Sequence, residues 1–121
     1  MSRKTEIRDK IYNWTKELIR IIDGLGREYS SQVISKQLLR SGTSVAANYV
    51  EAQSASSRKD FINFLHYSLK SANESGFWLK LLQDTGKAKT EEICSLQNEL
   101  EEISNILGAS LLTLKGERKK S

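Results

Sequence analysis

A chain of 121 residues, 38% hydrophobic and 28% charged, fits one domain whose core is built from amphipathic elements. Its one cysteine, Cys94, excludes an internal disulfide and agrees with a reducing compartment, and no proline is present to break a helix. The net charge of +4 is uneven: residues 1–90 hold 15 Lys or Arg against 9 Asp or Glu, whereas residues 91–121 hold 4 against 6.

Four stretches repeat apolar residues in steps of three and four, the spacing that keeps one stripe of a helix facing a neighbour. The first stretch, over about 3–23, carries Ile7, Ile11, Trp14, Leu18 and Ile21, with Gly24 as a stop. The second, over about 31–53, carries Ile34, Leu38, Ser41, Val45, Asn48 and Ala52. The third, over about 58–84, begins after the capping residue Ser57 and carries Phe61, Leu65, Ser68, Ala72, Ser75, Leu79 and Leu82. The fourth, over about 91–115, carries Ile93, Leu96, Leu100, Ile103, Leu107, Ser110 and Leu114. Glycines 24, 26, 86 and 116 fall between or after these stretches, where helices often need a left-handed terminus, and residues 116–121 read as a basic tail. Short links between long helices predict an all-α, antiparallel up-down-up-down four-helix bundle spanning 1–121 as a single domain.

Chemistry-bearing signatures are absent. One cysteine and one histidine make no zinc site, and there is no phosphate loop or nucleophile–base spacing. Glu51 and Glu74 suggest paired carboxylates, but the bundle metal motif pairs Glu-x-x-His, and His66 has Asn63 at that spacing. No enzyme, metal, cofactor or small-molecule substrate is expected. The start MSRKTEIRDK lacks the apolar stretch of a signal peptide, and no window approaches ~18 continuous apolar residues. A soluble cytoplasmic protein with no membrane partner is the expectation.

Three surfaces go beyond the fold. Ser41, Asn48 and Glu51 form a polar clasp along the second stripe, with Ser68, Glu74 and Ser75 as candidate partners for the buried amide. Leu39, Val50, Phe77 and Leu81, together with Tyr12 and Ile19, fall on outer faces and suggest a subunit interface. Arg3, Lys4, Arg8, Arg118, Lys119 and Lys120 would meet at one end of an up-down bundle, and Arg58 and Lys59 form a second basic pair. Such residues can hold phosphates without reading sequence, although no aromatic platform for base stacking stands out.

The run from Gln37 to Leu82 contains Gln37-Leu38-Leu39-Arg40-Ser41, then Ser44-Val45 with Asn48 and Glu51. Ser57-Arg58-Lys59-Asp60-Phe61, Phe64-Leu65 and a small-residue stretch from Leu69 to Glu74 follow. This pattern resembles the four-helix-bundle family encoded by intervening sequences of bacterial large-subunit rRNA genes, over roughly residues 7–115. Ala52 stands where that family usually has glycine. The resemblance implies a small cytoplasmic bundle that often assembles as a pentamer with a basic surface. It is also similar to accessory bundle proteins of diversity-generating retroelements, which implies RNA or DNA as a partner. Arg40 lies in the matching run, where a structural role suits it as well as a binding one. The expected function is a non-enzymatic homo-oligomer that binds nucleic acid, RNA before DNA, through the basic residues. The alternative is a protein-interaction scaffold held by the outer apolar stripes, and a small-molecule sensor using the small-residue core is a third reading.

Overall fold

The computed structural model describes residues 3–120, with side chains described for residues 6–117. Helix α1 spans Arg3–Asp23, α2 Tyr29–Gln53, α3 Arg58–Asp84 and α4 Thr90–Lys120. No strand occurs among the described residues. Each helix packs on the next, and α4 closes the ring against α1. Cross-helix bonds fix the directions. The buried Trp14 indole donates to the Leu96 carbonyl at 3.0 Å, with Lys10 beside Glu102 below it and Arg20 3.7 Å from Glu92 above, so α1 and α4 are antiparallel. The expected up-down-up-down bundle is therefore the fold.

Most of the expected stripe is the core. Ile11, Trp14, Leu18 and Ile21 of α1 are buried, as are Leu65, Leu79 and Leu82 of α3. On α2 and α4 the stripe slips by one residue. Tyr49 is buried rather than Asn48, and Leu111 rather than Ser110 or Leu114. A straight helix of 3.6 residues per turn drifts ~20° per heptad against a 3.5 repeat, so after two heptads the stripe residue lies ~40° to one side of the inward line and its successor ~60° to the other, and the packing of the neighbouring helices decides which is covered.

The helix ends follow local chemistry, with two departures from expectation. Ser57 caps α3 by accepting from the Asp60 amide at 3.1 Å. At the far end of α3, Gly86 takes φ 67°, and the Lys87 amide reaches the Leu82 carbonyl at 3.1 Å, closing a left-handed stop that Gly permits without strain. Gly86 is the only residue with positive φ among those described, so Gly24 and Gly26 do not use the left-handed region. Gly116 does not end α4, which runs on to Lys120, and α2 begins two residues earlier than the pattern predicts.

Gly42 is a packing position. A Cβ built there would lie 2.2 Å from Cδ2 of the fully buried Leu18 and 3.4 Å from Trp14, so α2 approaches α1 only because this residue has no side chain. At Gly108, in α4, a Cβ would meet nothing within 4 Å. Gly42→Ala should therefore lose about 1 kcal/mol or more, because overpacking at ~1–3 kcal/mol outweighs the gain in helix propensity. Gly108→Ala should gain about 0.5–1 kcal/mol from propensity alone. Urea unfolding followed by circular dichroism checks both, and a stabilised Gly42→Ala would contradict the close approach.

Candidate nucleic-acid interface

The topology gathers the start of α1, the end of α2, the start of α3 and the end of α4 at one end of the bundle. Of the cationic residues expected there from the sequence, Arg8, Arg58 and Lys59 have described side chains at that end. Arg58 spans α3 and α4, donating to the Glu117 carboxylate at 3.0 Å and to the Leu114 carbonyl at 3.3 Å. Arg8 lies 3.7 Å from its neighbour Asp9, and Lys59 is exposed with no ion pair among the described residues. The Arg8–Asp9 and Arg58–Glu117 pairs are at least half open to water, where an ion pair contributes only ~0–1 kcal/mol, so either guanidinium can exchange its carboxylate for a phosphate at little cost. The side chains of Arg3, Lys4, Arg118, Lys119 and Lys120 lie outside the described residues.

The last stripe residues at this end do not close on one another. Ile7, Phe61, Ser110 and Leu114 are only half-buried, and with Tyr49 and Gln53 they line a cavity of about 480 Å³. A second recess of about 430 Å³ shares Gln53, Phe61 and Leu114 and adds Arg58. A third, of about 250 Å³, joins Tyr49 to Arg8. Burial pushes the Tyr49 phenol above its ordinary pKa, and the Arg8 charge offsets part of that rise. The Gln53 Oε1 atom is buried without a hydrogen-bond partner among the described residues. Neither Tyr49 nor Gln53 stood out in the sequence. Tyr49 is one step off the heptad, and nothing in the pattern distinguishes Gln53 from a solvated helix end.

The polar clasp forms between α2 and α3, but through different residues from those expected. Ser75 donates to Ser41 at 2.8 Å, Ser71 to Ser44 at 3.0 Å, and Ser68 to the Val45 carbonyl at 2.8 Å. Asn48 turns back along its own helix, its amide donating to the carbonyl and hydroxyl of Ser44, both at 2.9 Å, and so reaches α3 only through Ser44. The drift that brings Tyr49 inward leaves Asn48 half-buried, out of reach of Ser68, Glu74 or Ser75 as a bonding partner. Glu51 is exposed and takes no hydrogen bond or ion pair among the described residues. Glu74 instead holds Arg40 across the α2–α3 junction and accepts from the Trp78 indole at 3.0 Å, giving Arg40 a structural contact.

Of the residues expected on outer faces, Phe77 and Val50 are 59% and 54% exposed, and Leu39 is 38% exposed. Tyr12 and Ile19 are exposed on α1. Leu81 differs: it is partly buried and packs against the core, so it does not share the exposure of Phe77. No His, Cys, Asp or Glu cluster able to hold a metal occurs among the described residues, and no described helix is long and apolar enough to cross a membrane.

An antiparallel four-helix bundle with a small-residue α2–α3 junction and a cationic, open end defines the class. A sequence model of the 23S rRNA-intervening sequence protein family matches residues 3–109, and the chain belongs to that family. It is similar to a crystal structure from Bacteroides thetaiotaomicron, described as a protein of unknown function from the S23 ribosomal protein family. That likeness has 38% identity and a TM-score of 0.84, over 91% of this chain and 98% of the other. Among curated proteins no match to the sequence is found. Neither the family nor the structural relative indicates an enzyme.

A free phenol titrates near ~10. With the folded value raised, the contribution of Tyr49 is whole below that pH and is lost as pH rises through the folded value. Above about pH 10 the native protein should therefore lose stability faster than Tyr49→Phe. Urea midpoints for the two proteins across that range check it; parallel curves would contradict the burial of the phenol.

Proposed function

We propose that this protein is a non-enzymatic, cytoplasmic, oligomeric bundle that binds nucleic acid, RNA in preference to DNA, through phosphate contacts at its cationic end. The observation that carries this reading is the convergence of helix termini. Arg8 of α1 and Arg58 and Lys59 of α3 belong to the same end, Arg8 and Arg58 in pairs weak enough to be exchanged for phosphates. Arg3, Lys4, Arg118, Lys119 and Lys120 belong to helix segments at that end by their position in the chain. The carboxylates Glu6, Asp9 and Glu117 moderate the charge, which favours a broad, sequence-tolerant contact over a tight one. The family name refers to an rRNA intervening sequence, which agrees with an RNA partner without specifying one. Assembly uses the outer apolar residues Leu39, Val50 and Phe77, and a pentamer is the expected ring.

The exposed Phe77 and Val50 also support a second reading, in which the same bundle is a protein-interaction scaffold and the positive charge serves solubility. Light scattering after size exclusion, with and without a mixed RNA pool, separates the two. The nucleic-acid reading expects an oligomer that shifts with RNA and loses at least about tenfold in affinity between ~50 and ~200 mM salt. Reversing Arg118, Lys119 and Lys120 to glutamate should weaken RNA binding further and leave a protein partner's binding unaffected. Affinity indifferent to salt would defeat the phosphate-contact reading, and a monomer would defeat the assembly reading.

A further inference from the structure

We infer that the cavity between the four helix ends receives an unpaired nucleobase, which makes the cationic end a binder of single-stranded or bulged RNA rather than of uniform duplex. The inference rests on the nucleic-acid reading above and deepens it. Three independent features meet there. The cavity of about 480 Å³ lies within the ~300–1,000 Å³ range of small-ligand sites and is large enough for a base. Its wall is apolar, with the Phe61 and Tyr49 rings among its lining side chains, so it offers aromatic surface to the face of a base. Gln53, which lines both this cavity and the adjoining recess, holds a buried carbonyl oxygen with no hydrogen-bond partner among the described residues.

A buried acceptor without a donor carries a standing cost, which a base N–H would remove once the Gln53 side chain turns its sealed amide oxygen into the cavity. The amide group of Gln53 presents one acceptor and one donor side by side, the pattern that matches the paired donor and acceptor on a base edge. The cations are placed for the rest of the nucleotide. Arg58 borders the adjoining recess and Arg8 borders the small recess beyond Tyr49, so a strand entering the cavity has a guanidinium on either side for its phosphates. A duplex keeps its bases stacked and could use only the outer charges. An apolar ligand such as an acyl chain would fill the cavity but leave Gln53 Oε1 unpaired.

The test uses the full chain and three labelled RNA hairpins at one salt concentration: fully paired, with a three-nucleotide bulge, and with the same bulge made abasic. Fluorescence anisotropy should show the bulged hairpin binding at least about tenfold tighter than the paired one, in the range that stacking a base contributes. The abasic bulge should fall back to the affinity of the paired hairpin, since its backbone is equally flexible. Gln53→Leu removes a buried unsatisfied atom and so leaves folding intact, and it should reduce the affinity for the bulged hairpin several-fold. Equal binding of all three hairpins would overturn the base pocket while leaving phosphate binding in place. A bulge preference that persists unchanged in Gln53→Leu would overturn the assignment to this cavity. Failure of every hairpin to bind would overturn the proposed function and the pocket with it.

Discussion

The structure depends on how closely α2 and α3 approach. Their junction is made of serines and alanine, and once such backbones meet, every hydroxyl trapped between them must find a partner or carry a desolvation cost of ~1–3 kcal/mol. Ser41 with Ser75, Ser44 with Ser71, and Ser68 with the Val45 carbonyl satisfy that demand in one register only. A slip of one turn would pair serine with leucine and leave several hydroxyls unmatched. The α2–α3 pair thus acts as a rigid plate, and α1 and α4 supply the large apolar side chains laid against it. Gly42 belongs to the same constraint: the small face of α2 lets Leu18 and Trp14 of α1 press close.

Rigidity at the middle sets the geometry of the cationic end. The stripes converge where the junction is tight, but at the end Ile7, Phe61 and Leu114 have only one another to meet and remain half-buried. The α2–α3 link contributes Ala55, Ser56 and Ser57 to the wall of the adjoining recess. The charge found at the same end has the same origin in topology. Residues near the start of α1 and α3 are solvated and free to be basic, and antiparallel packing brings them together whatever their separation in sequence.

The fold was legible because its information is periodic. Leu65, Leu79 and Leu82 or Ile11, Trp14 and Leu18 declare the inward face of a helix without reference to anything else. The same rule misplaced Asn48 and Ser110 because a heptad is not a true helical period and leaves two successive residues competing for the inward place, whereas Leu114 is half-buried because the bundle end stays open. Phe77 and Leu81, four apart, looked equivalent on a helical wheel, yet a bundle neighbour covers Leu81 and leaves Phe77 in water. The cavity was not legible at all. Tyr49, Gln53, Phe61 and Ser110 come from three helices, and their convergence depends on how far the ends splay, which no single stretch encodes.

Both termini of the described helices sit at the open end, and the α1–α2 and α3–α4 links sit at the other. Anything fused to either terminus therefore crowds the Arg58 and Gln53 region, while the Gly86 turn, held by its own backbone bonds, is some 40 Å away along helices of more than 20 residues. Affinity handles, fluorophores and surface tethers attached at that turn would present the open end outward to solution. Handles at the termini would shield it.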